Sequence, residues 1–440
     1  MSEYSYAISL LVFLVVMVVV SARSSAARGQ LPPGPGGLPL LGSVHKMPLK
    51  YQERQLYEWR KQYGDVIYLK LFRTPVVVLN TLQAATDVLT KRSAKHSDRP
   101  RMVLLAELMN QASSIPAMPY GERFRKHRKW MHEAVGTKER LNAYRSIQLR
   151  EVHNLLKNLL SSPERFIQHC HLYVAAIMLE IAYGKRVDSL EDELVAVADR
   201  ALEGINRAGT PGAMIVDFFP SLKMLPTWLP GAGFKRRALE VGVFVQTWKD
   251  TGYNIVKTAL TRGALIAFML AMTRNPDVLR EAQEEIDKVV GNDRLPDFGD
   301  CGSLPYLDAM VEELYRLKAI PHRSTAEDEY LGYTIPAGSL VMPNIWGITR
   351  DPTIYPDPEE FRPERFIRRA GKDAGKGDIP LPSTYVFGFG RRICPGQELA
   401  NPSLWLAMAQ IIAAFDIRKP LDADGNEITP PAVFRSGFTR

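Results

Sequence analysis

The sequence predicts a mainly α-helical fold with small β-sheets, which follows a single N-terminal transmembrane helix. Three observations support this prediction: an uncharged apolar run opens the chain, long amphipathic stretches fill most of the remainder, and two short segments combine β-branched residues with turn residues. Hydrophobic residues make up 46% of the 440 residues, which is enough for a sizeable core. A globular protein is therefore expected.

The apolar run covers residues 7–22 and reads AISLLVFLVVMVVVSA. As a helix rising about 1.5 Å per residue, the run and the three residues before it would span about 28 Å, near the thickness of a thin bilayer. A cleaved signal peptide is the alternative, because small residues follow the run. Glu3 precedes the run without any Lys or Arg, whereas Arg23 and Arg28 follow it. This charge pattern favours an uncleaved anchor that leaves the downstream chain in the cytoplasm.

Composition divides the chain into three parts. Residues 1–22 form the predicted membrane anchor, and residues 23–50 form a connector that contains LPPGPGGLPLLG. Prolines fix φ and glycines disfavour helix growth, so the connector is expected to be stiff and to lie outside the core. Residues 51–440 are expected to form the folded domain.

The folded domain begins with a predicted amphipathic helix at Tyr51–Gly64 and a hairpin at Asp65–Asn80 that turns at Arg73–Pro75. A second short sheet is predicted at Tyr330–Asn344, with its turn at Pro336–Gly338. Long helices dominate the remainder. Those predicted are Leu82–Lys91, Arg123–Val135, Lys138–Leu160, Phe166–Tyr183, Leu194–Arg207 and Phe234–Thr261.

Charge and cysteine content narrow the possible partners and compartments. The excess of 8 positive charges is spread along the chain, and no zinc-finger spacing or basic-aromatic repeat accompanies it, so nucleic acid is not an expected partner. Three cysteines are too few, and of the wrong parity, for a disulfide scaffold. The part of the chain after the anchor is therefore expected to lie in the cytosol.

A glycine-rich loop with one cysteine, FGFGRRICPGQELA, lies at Phe387–Ala400 before an apolar helical run. Gly388 allows the backbone to turn tightly against a flat ligand, and Gly396 allows the next helix to approach closely. Cys394 lies at the start of that helix, where free N–H groups and the helix dipole stabilise a thiolate. Such a sulfur is a good metal ligand, although a lone cysteine can also be a small buried apolar side chain.

The segment FGFGRRICPG resembles the haem-binding signature of the cytochrome P450 family. The resemblance implies a P450-like fold with haem b as the cofactor, and with Cys394 as the axial ligand of its iron. It further implies that Phe387 packs near the sulfur, that Gly388 and Gly396 shape the loop, and that Arg392 reaches a haem propionate.

Two segments upstream stand in the order that this family requires. VEELYRLK places Glu313 and Arg316 three residues apart on one helix face, and FRPERF contains Arg365. A Glu–Arg pair at this spacing is commonly a solvated ion pair that contributes little to stability. The resemblance implies instead that the three side chains form a buried structural network behind the haem.

Two further haem contacts are implied by the resemblance. The family has a Trp four residues before an Arg that binds a propionate, and here Phe124 and Arg128 take those positions. A guanidinium group matches carboxylate geometry well, so Arg128 is a suitable propionate partner. His322, in the segment IPHRS, is implied as a third anchor.

The chain departs from the family in its central helix, which the resemblance places over the haem. NIVKTALTRG at residues 254–263 runs directly into ALIAFMLAMTRNPDV at 264–278, so the helix is expected to be truncated. The acid and Thr of the oxygen-activating motif are not found, and no catalytic residue is assigned. The stretch before PHR is shortened to LKAI, and similar enzymes extend beyond Arg440.

The resemblance implies a monooxygenase that inserts one atom of dioxygen into a lipophilic small molecule, in fungal secondary metabolism. It implies electrons from an NADPH-dependent reductase and a single-pass location in the endoplasmic reticulum membrane, with the haem-binding catalytic domain, residues 51–440, in the cytoplasm. A truncated haem-binding protein with little or no turnover is the first alternative, and an anchored structural protein is the second.

Overall fold

A computed structural model describes residues 29–48, 50–189, 191–207, 214–251, 258–315, 321–367 and 379–431. It is mainly helical with two small sheets, which confirms that part of the predicted fold class, whereas the N-terminal transmembrane helix and the truncated central helix stay predictions. The predicted anchor at 1–22 lies outside the described residues. The chain divides into two compact units, one from Met1–Pro100 with Pro321–Gly347 and one from Arg101–Ile320 with Ile348–Arg440.

Most of the predicted helices have nearly the observed bounds, but the predicted helix Leu82–Lys91 is an α-helix only over Leu82–Ala85 and continues as a π-helix over Thr86–Lys91. The strands are β1 Val66–Leu71, β2 Thr74–Leu79, β3 His322–Arg323, β4 Asp328–Tyr330, β5 Tyr333–Ile335 and β6 Leu340–Pro343. The α-helices of the described residues are α1 Gln52–Tyr63, α2 Leu82–Ala85, α3 Glu122–Val135, α4 Lys138–Ser161, α5 Phe166–Tyr183, α6 Glu193–Arg207, α7 Ile215–Phe218, α8 Gly233–Thr251, α9 Thr258–Arg274, α10 Pro276–Val289, α11 Pro305–Leu314, α12 Ile345–Ile348 and α13 Gln397–Ala414.

The sheet of the first unit has the strand order β1-β2-β6-β3. The predicted hairpin is confirmed, with Val66 paired to Leu79 and Leu71 to Thr74. The prediction that Tyr330–Asn344 forms one separate sheet is wrong. β4 pairs with β5 alone, and β6 joins β2 in parallel. β6 is a short apolar run, and an apolar run suits a strand covered on both faces, so it is stable beside the buried strand β2.

The proline- and glycine-rich connector is packed along β1. The Tyr68 N–H donates to the Pro33 carbonyl at 3.0 Å, and the Ser43 N–H donates to the Lys70 carbonyl at 2.6 Å. A Cβ on Gly34 would lie 1.7 Å from the Tyr68 carbonyl oxygen, so only glycine fits there. The described part of the connector is therefore held to the first unit. The three-part division into anchor, connector and catalytic domain stays a prediction.

The second unit is built around α13, whose apolar residues are buried on nearly every side. α4 and α9 pack against α13, and α5 packs against α4 and α9. The predicted helix Phe234–Thr261 corresponds to α8 and the start of α9, and the residues between them lie outside the described ranges. The predicted helix Phe166–Tyr183 has the observed bounds.

By length and composition, one helix among the described residues could cross a membrane, Pro163–Tyr183. It includes α5, which packs against two other helices of the second unit. A core helix of a soluble protein passes the same test, so this helix is weak evidence of a membrane span.

Candidate functional site

The loop that carries Cys394 turns back on itself before α13 begins. The Cys394 N–H donates to the Phe387 carbonyl at 2.8 Å, which closes the loop. Gly388 has φ +100°, and a Cβ there would lie 3.3 Å from the Arg392 carbonyl oxygen, so this position requires glycine. Gly396 is the N-cap of α13. Cys394 therefore lies, partly buried, at the positive end of a long helix.

The other two cysteines lack this setting. Cys170 is fully buried on α5, and burial raises the pKa of its thiol to about 12. A thiol that keeps its proton is a poor metal ligand. Cys301 is exposed in the segment before α11. Of the three cysteines, Cys394 is therefore the one that lies both in a glycine turn and at the start of a helix.

Arg128 on α3 reaches the cysteine loop. Its Nη1 donates to the carbonyl of Ile393, the residue before Cys394, at 2.5 Å. Burial lowers the pKa of Arg128, and the charge of Cys394 opposes that shift. A guanidinium group is therefore held at the backbone of the residue before Cys394.

Arg392 joins the same region from within the loop. Its guanidinium carbon lies 3.9 Å from the centre of the Phe124 ring, and its Nη1 donates to the Ile115 carbonyl at 3.3 Å. Phe124 precedes Arg128 by one turn of α3, so the helix supplies both a ring and a cation. The structure brings Arg128 and Arg392 together at one loop.

An aromatic residue that the sequence reasoning did not single out borders this loop. The Tyr315 ring meets the Phe387 ring edge to face with centroids 5.1 Å apart, and the Tyr315 hydroxyl donates to Asn401 Oδ1 at 2.7 Å. Tyr315 directly follows α11 and is buried. In the sequence, only its position between Glu313 and Arg316 could have indicated that Tyr315 lies near the cysteine loop.

Glu313 and Arg365 form a buried ion pair in the second unit, at 3.1 Å between Oε2 and Nε. Arg365 also donates through Nη2 to the carbonyls of Asp357 and Glu360, at 3.2 and 3.1 Å. These contacts give the guanidinium several acceptors in a dry environment. The predicted third member, Arg316, lies outside the described residues.

His322 belongs to the first unit, whereas the other described candidate residues belong to the second. It lies on β3, paired with Val341 of β6, and it is buried. Its Nδ1 lies 2.9 Å from the His96 carbonyl oxygen, which is consistent with an N–H donated from that nitrogen. This contact holds the ring against the backbone of His96, which belongs to the same unit.

The side chains at the cysteine loop fit a haem group. The loop presents the Cys394 thiol at a helix start, and the turn at Gly388 leaves its backbone without a side chain that would keep a flat ligand away. Arg128 and Arg392 add two positive charges that suit the carboxylates of a haem. Among the described residues, no group of three or more His, Cys, Asp or Glu side chains forms a metal site. A single thiolate suits iron that is otherwise held by its own macrocycle.

Comparison with known proteins agrees with this geometry. The model of the family Cytochrome P450 matches residues 32–236 and 261–435. Cytochrome P450 monooxygenase 176 of Postia placenta is 39% identical over 464 aligned positions, which cover 94% of this chain and 89% of that protein. Cytochrome P450 monooxygenase COX2 of Coprinopsis cinerea is 37% identical, over 94% of this chain and 88% of that protein. Tryptamine 4-monooxygenase of Psilocybe cyanescens is 35% identical, over 94% and 91%. These matches span nearly the whole chain, and on them the protein belongs to the cytochrome P450 family of monooxygenases.

Proposed function

We propose that this chain is a haem-thiolate monooxygenase that binds haem b through Cys394. The family holds haem iron on a cysteine thiolate and takes its electrons from reductase partners. The observation that carries the proposal is the arrangement of Cys394, Arg128 and Arg392 at one loop of the second unit.

Each residue has a separate task in this proposal. Cys394 supplies the thiolate, Gly388 and Gly396 allow the loop to lie close to the haem, and Phe387 packs near the sulfur. Arg128 and Arg392 bind the propionates, because cationic donor groups stabilise carboxylates. His322 stays an anchor implied by the family resemblance. Glu313, Arg316 and Arg365 support the loop from behind. When bound, the haem supplies iron for oxygen activation, and a thiolate ligand favours O–O cleavage.

The substrate is proposed to be a lipophilic small molecule of fungal secondary metabolism. One relative is named as a monooxygenase of tryptamine, and the organisms of the matching relatives are fungi. The electron donor is proposed to be an NADPH-dependent reductase in the endoplasmic reticulum membrane. The apolar run at residues 7–22 supports a single-pass anchor there, with the catalytic domain in the cytoplasm.

A second candidate is a truncated haem-binding protein with little or no turnover. The family model leaves residues 237–260 unmatched, at the join of α8 and α9. The alignment with the Postia placenta relative has 464 positions, more than the 440 residues of this chain, so that relative has positions without a counterpart here. No acidic residue lies between Thr258 and Pro276, where an acid–hydroxyl relay would be needed for proton delivery.

The test is the spectrum of the reduced protein with carbon monoxide, measured beside oxygen insertion driven by NADPH and a reductase. We expect the thiolate-type band in the unsubstituted chain, in Cys170→Ala and in Cys301→Ala, and its loss in Cys394→Ala. A thiolate band that survives Cys394→Ala would overturn the ligand assignment. Oxygen insertion coupled to NADPH would separate the monooxygenase from the truncated haem-binding protein.

A further inference from the structure

Tyr315 closes a ring of contacts around the cysteine loop. Its hydroxyl donates to Asn401 on α13 at 2.7 Å, and its ring lies edge to face on Phe387. The Phe387 carbonyl accepts the Cys394 N–H at 2.8 Å, and Cys394 leads directly into α13. Starting from Cys394, the contacts thus pass through α13, Asn401, Tyr315 and Phe387 and return to Cys394.

We propose that Tyr315 is a positioning residue that holds Phe387 and the start of α13 in register and so fixes the Cys394 sulfur relative to the haem iron. The inference rests on the proposed function, since it requires Cys394 to be the ligand. It assigns to Tyr315 a role that the arginines at the loop cannot fill. They contact backbone carbonyls and the Phe124 ring, whereas Tyr315 contacts the loop and α13 at once.

The chemistry of tyrosine matches both contacts. An edge-to-face pair of aromatic rings is directional, so the Tyr315 ring restrains the tilt of the Phe387 ring as well as its position. A buried hydroxyl needs a partner, and the Asn401 amide oxygen accepts its proton. Burial raises the pKa of Tyr315 above its usual range, and the charge of Cys394 acts in the same direction. The phenol therefore stays protonated and remains a donor.

Tyr173 provides a matched control in the same unit. It is a buried tyrosine whose hydroxyl also donates to α13, to the Ser403 carbonyl at 2.8 Å. Tyr315→Phe and Tyr173→Phe therefore each remove one buried hydroxyl bonded to the same helix. Of the two tyrosines, only Tyr315 has a ring that meets Phe387 edge to face, so a difference between the variants reports on the loop and not on general loosening of α13.

The experiment uses the full chain loaded with haem. For the unsubstituted protein, Tyr315→Phe, Tyr315→Leu, Tyr173→Phe and Cys394→Ala, we would measure the iron reduction potential. We would also measure the fraction of the reduced carbon monoxide complex that keeps the thiolate-type band as urea rises. A lost neutral hydrogen bond of about 1 kcal/mol corresponds to a factor of about five in an equilibrium constant. At a given urea concentration, Tyr315→Phe should therefore raise the ratio of protein without the thiolate-type band to protein with it about fivefold. Tyr315→Leu should shift it further, because the ring contact is lost as well.

The reduction potential should move in both Tyr315 variants and stay unchanged in Tyr173→Phe. Adding Asn401→Leu to Tyr315→Phe should have little further effect if the hydroxyl acts through Asn401. Tyr315 variants that match Tyr173→Phe in both measurements would overturn the inference while the ligand assignment stands. Absence of the thiolate band from the unsubstituted chain would overturn the proposed function and this inference together.

Discussion

Glu313 and Arg365 lie 3.1 Å apart with only 0% and 3% of their side chains exposed to solvent. Removing one member of such a pair leaves a buried charge without its partner, which typically costs about 3–5 kcal/mol. We predict that Arg365→Ala lowers the free energy of unfolding by about this amount, measured by urea denaturation. Arg280→Ala is the control, because its pair with Asp277 is 63% and 78% exposed and should matter little. Equal losses in the two variants would contradict the prediction.

Arg128 is predicted to hold the haem and not only the loop. Its guanidinium donates to the Ile393 carbonyl, next to Cys394, and loss of a residue that holds a metal ligand in place typically weakens binding about 10- to 100-fold, so Arg128→Ala should weaken haem binding by about this factor. Haem transfer to apomyoglobin would measure the loss. Lys129→Ala is the control, because that side chain on the same helix is 77% exposed. Unchanged haem retention in Arg128→Ala would argue against a propionate contact.

Acidification is predicted to destabilise the protein through His96. Burial lowers the pKa of this ring in the folded chain, although its partner Asp328 opposes the shift. Burial alone would raise the pKa of Asp328, but hydrogen bonds from Lys95 and His96 lower it to about 2, so the carboxylate stays charged. Below about pH 6.5 the unfolded chain takes up a proton at His96 more readily than the folded chain does, and stability falls.

The measurement for His96 is the midpoint of thermal unfolding between pH 7.5 and pH 5, values chosen to bracket about 6.5 for a free histidine. His96→Gln keeps a donor for Asp328 without titrating in this range, so its midpoint should fall less on acidification. The exposed His153 provides the control substitution His153→Gln. If His96→Gln and the unsubstituted protein lose stability in parallel, another group must carry the effect.

Deletion of residues 1–28 is predicted to release much of the protein from microsomal membranes. The cut spares the Gln30 carbonyl, which accepts the Thr334 N–H at 2.8 Å, and the glycines that pack against β1. The carbon monoxide spectrum should therefore be unchanged while the pelleted fraction falls. A full-length protein that is already soluble, or secreted, would contradict the anchor.

If the central helix is truncated as proposed, inserting a relative's central segment is predicted to raise coupled turnover. Without an acid–hydroxyl relay, proton delivery on the distal side is unordered, so consumed NADPH should yield mainly reduced oxygen species. The unmodified chain would be compared with a variant in which the central-helix segment of a fungal relative is inserted between Gly263 and Ala264. Hydrogen peroxide formed per NADPH measures the coupling. Equal hydroxylation and coupling in both proteins would show that the segment is dispensable.

The sequence predicted most of the helices because their apolar periodicity is local. The cysteine loop could likewise be predicted from the sequence, because Phe387, Arg392 and Cys394 lie within eight positions of one another. Contacts between segments that are distant in the sequence could not be predicted in this way. Tyr315 and Asn401 are 86 residues apart, and no local pattern indicates which partner a lone tyrosine takes. The strand β6 was placed in the wrong sheet for the same reason, since apolar strands of similar composition can pair with either neighbour.

The parallel pairing of β6 with β2 has a consequence for synthesis of the chain. Asn344, just after β6, donates to Asn80, just after β2, and the two are 264 residues apart. At ribosomal rates of about 5–20 residues per second, β2 waits roughly 15–50 s for its partner strand to be made. During that time the edge of β2 that later pairs with β6 is uncovered, and such an unpaired apolar edge is a site of aggregation that chaperones protect.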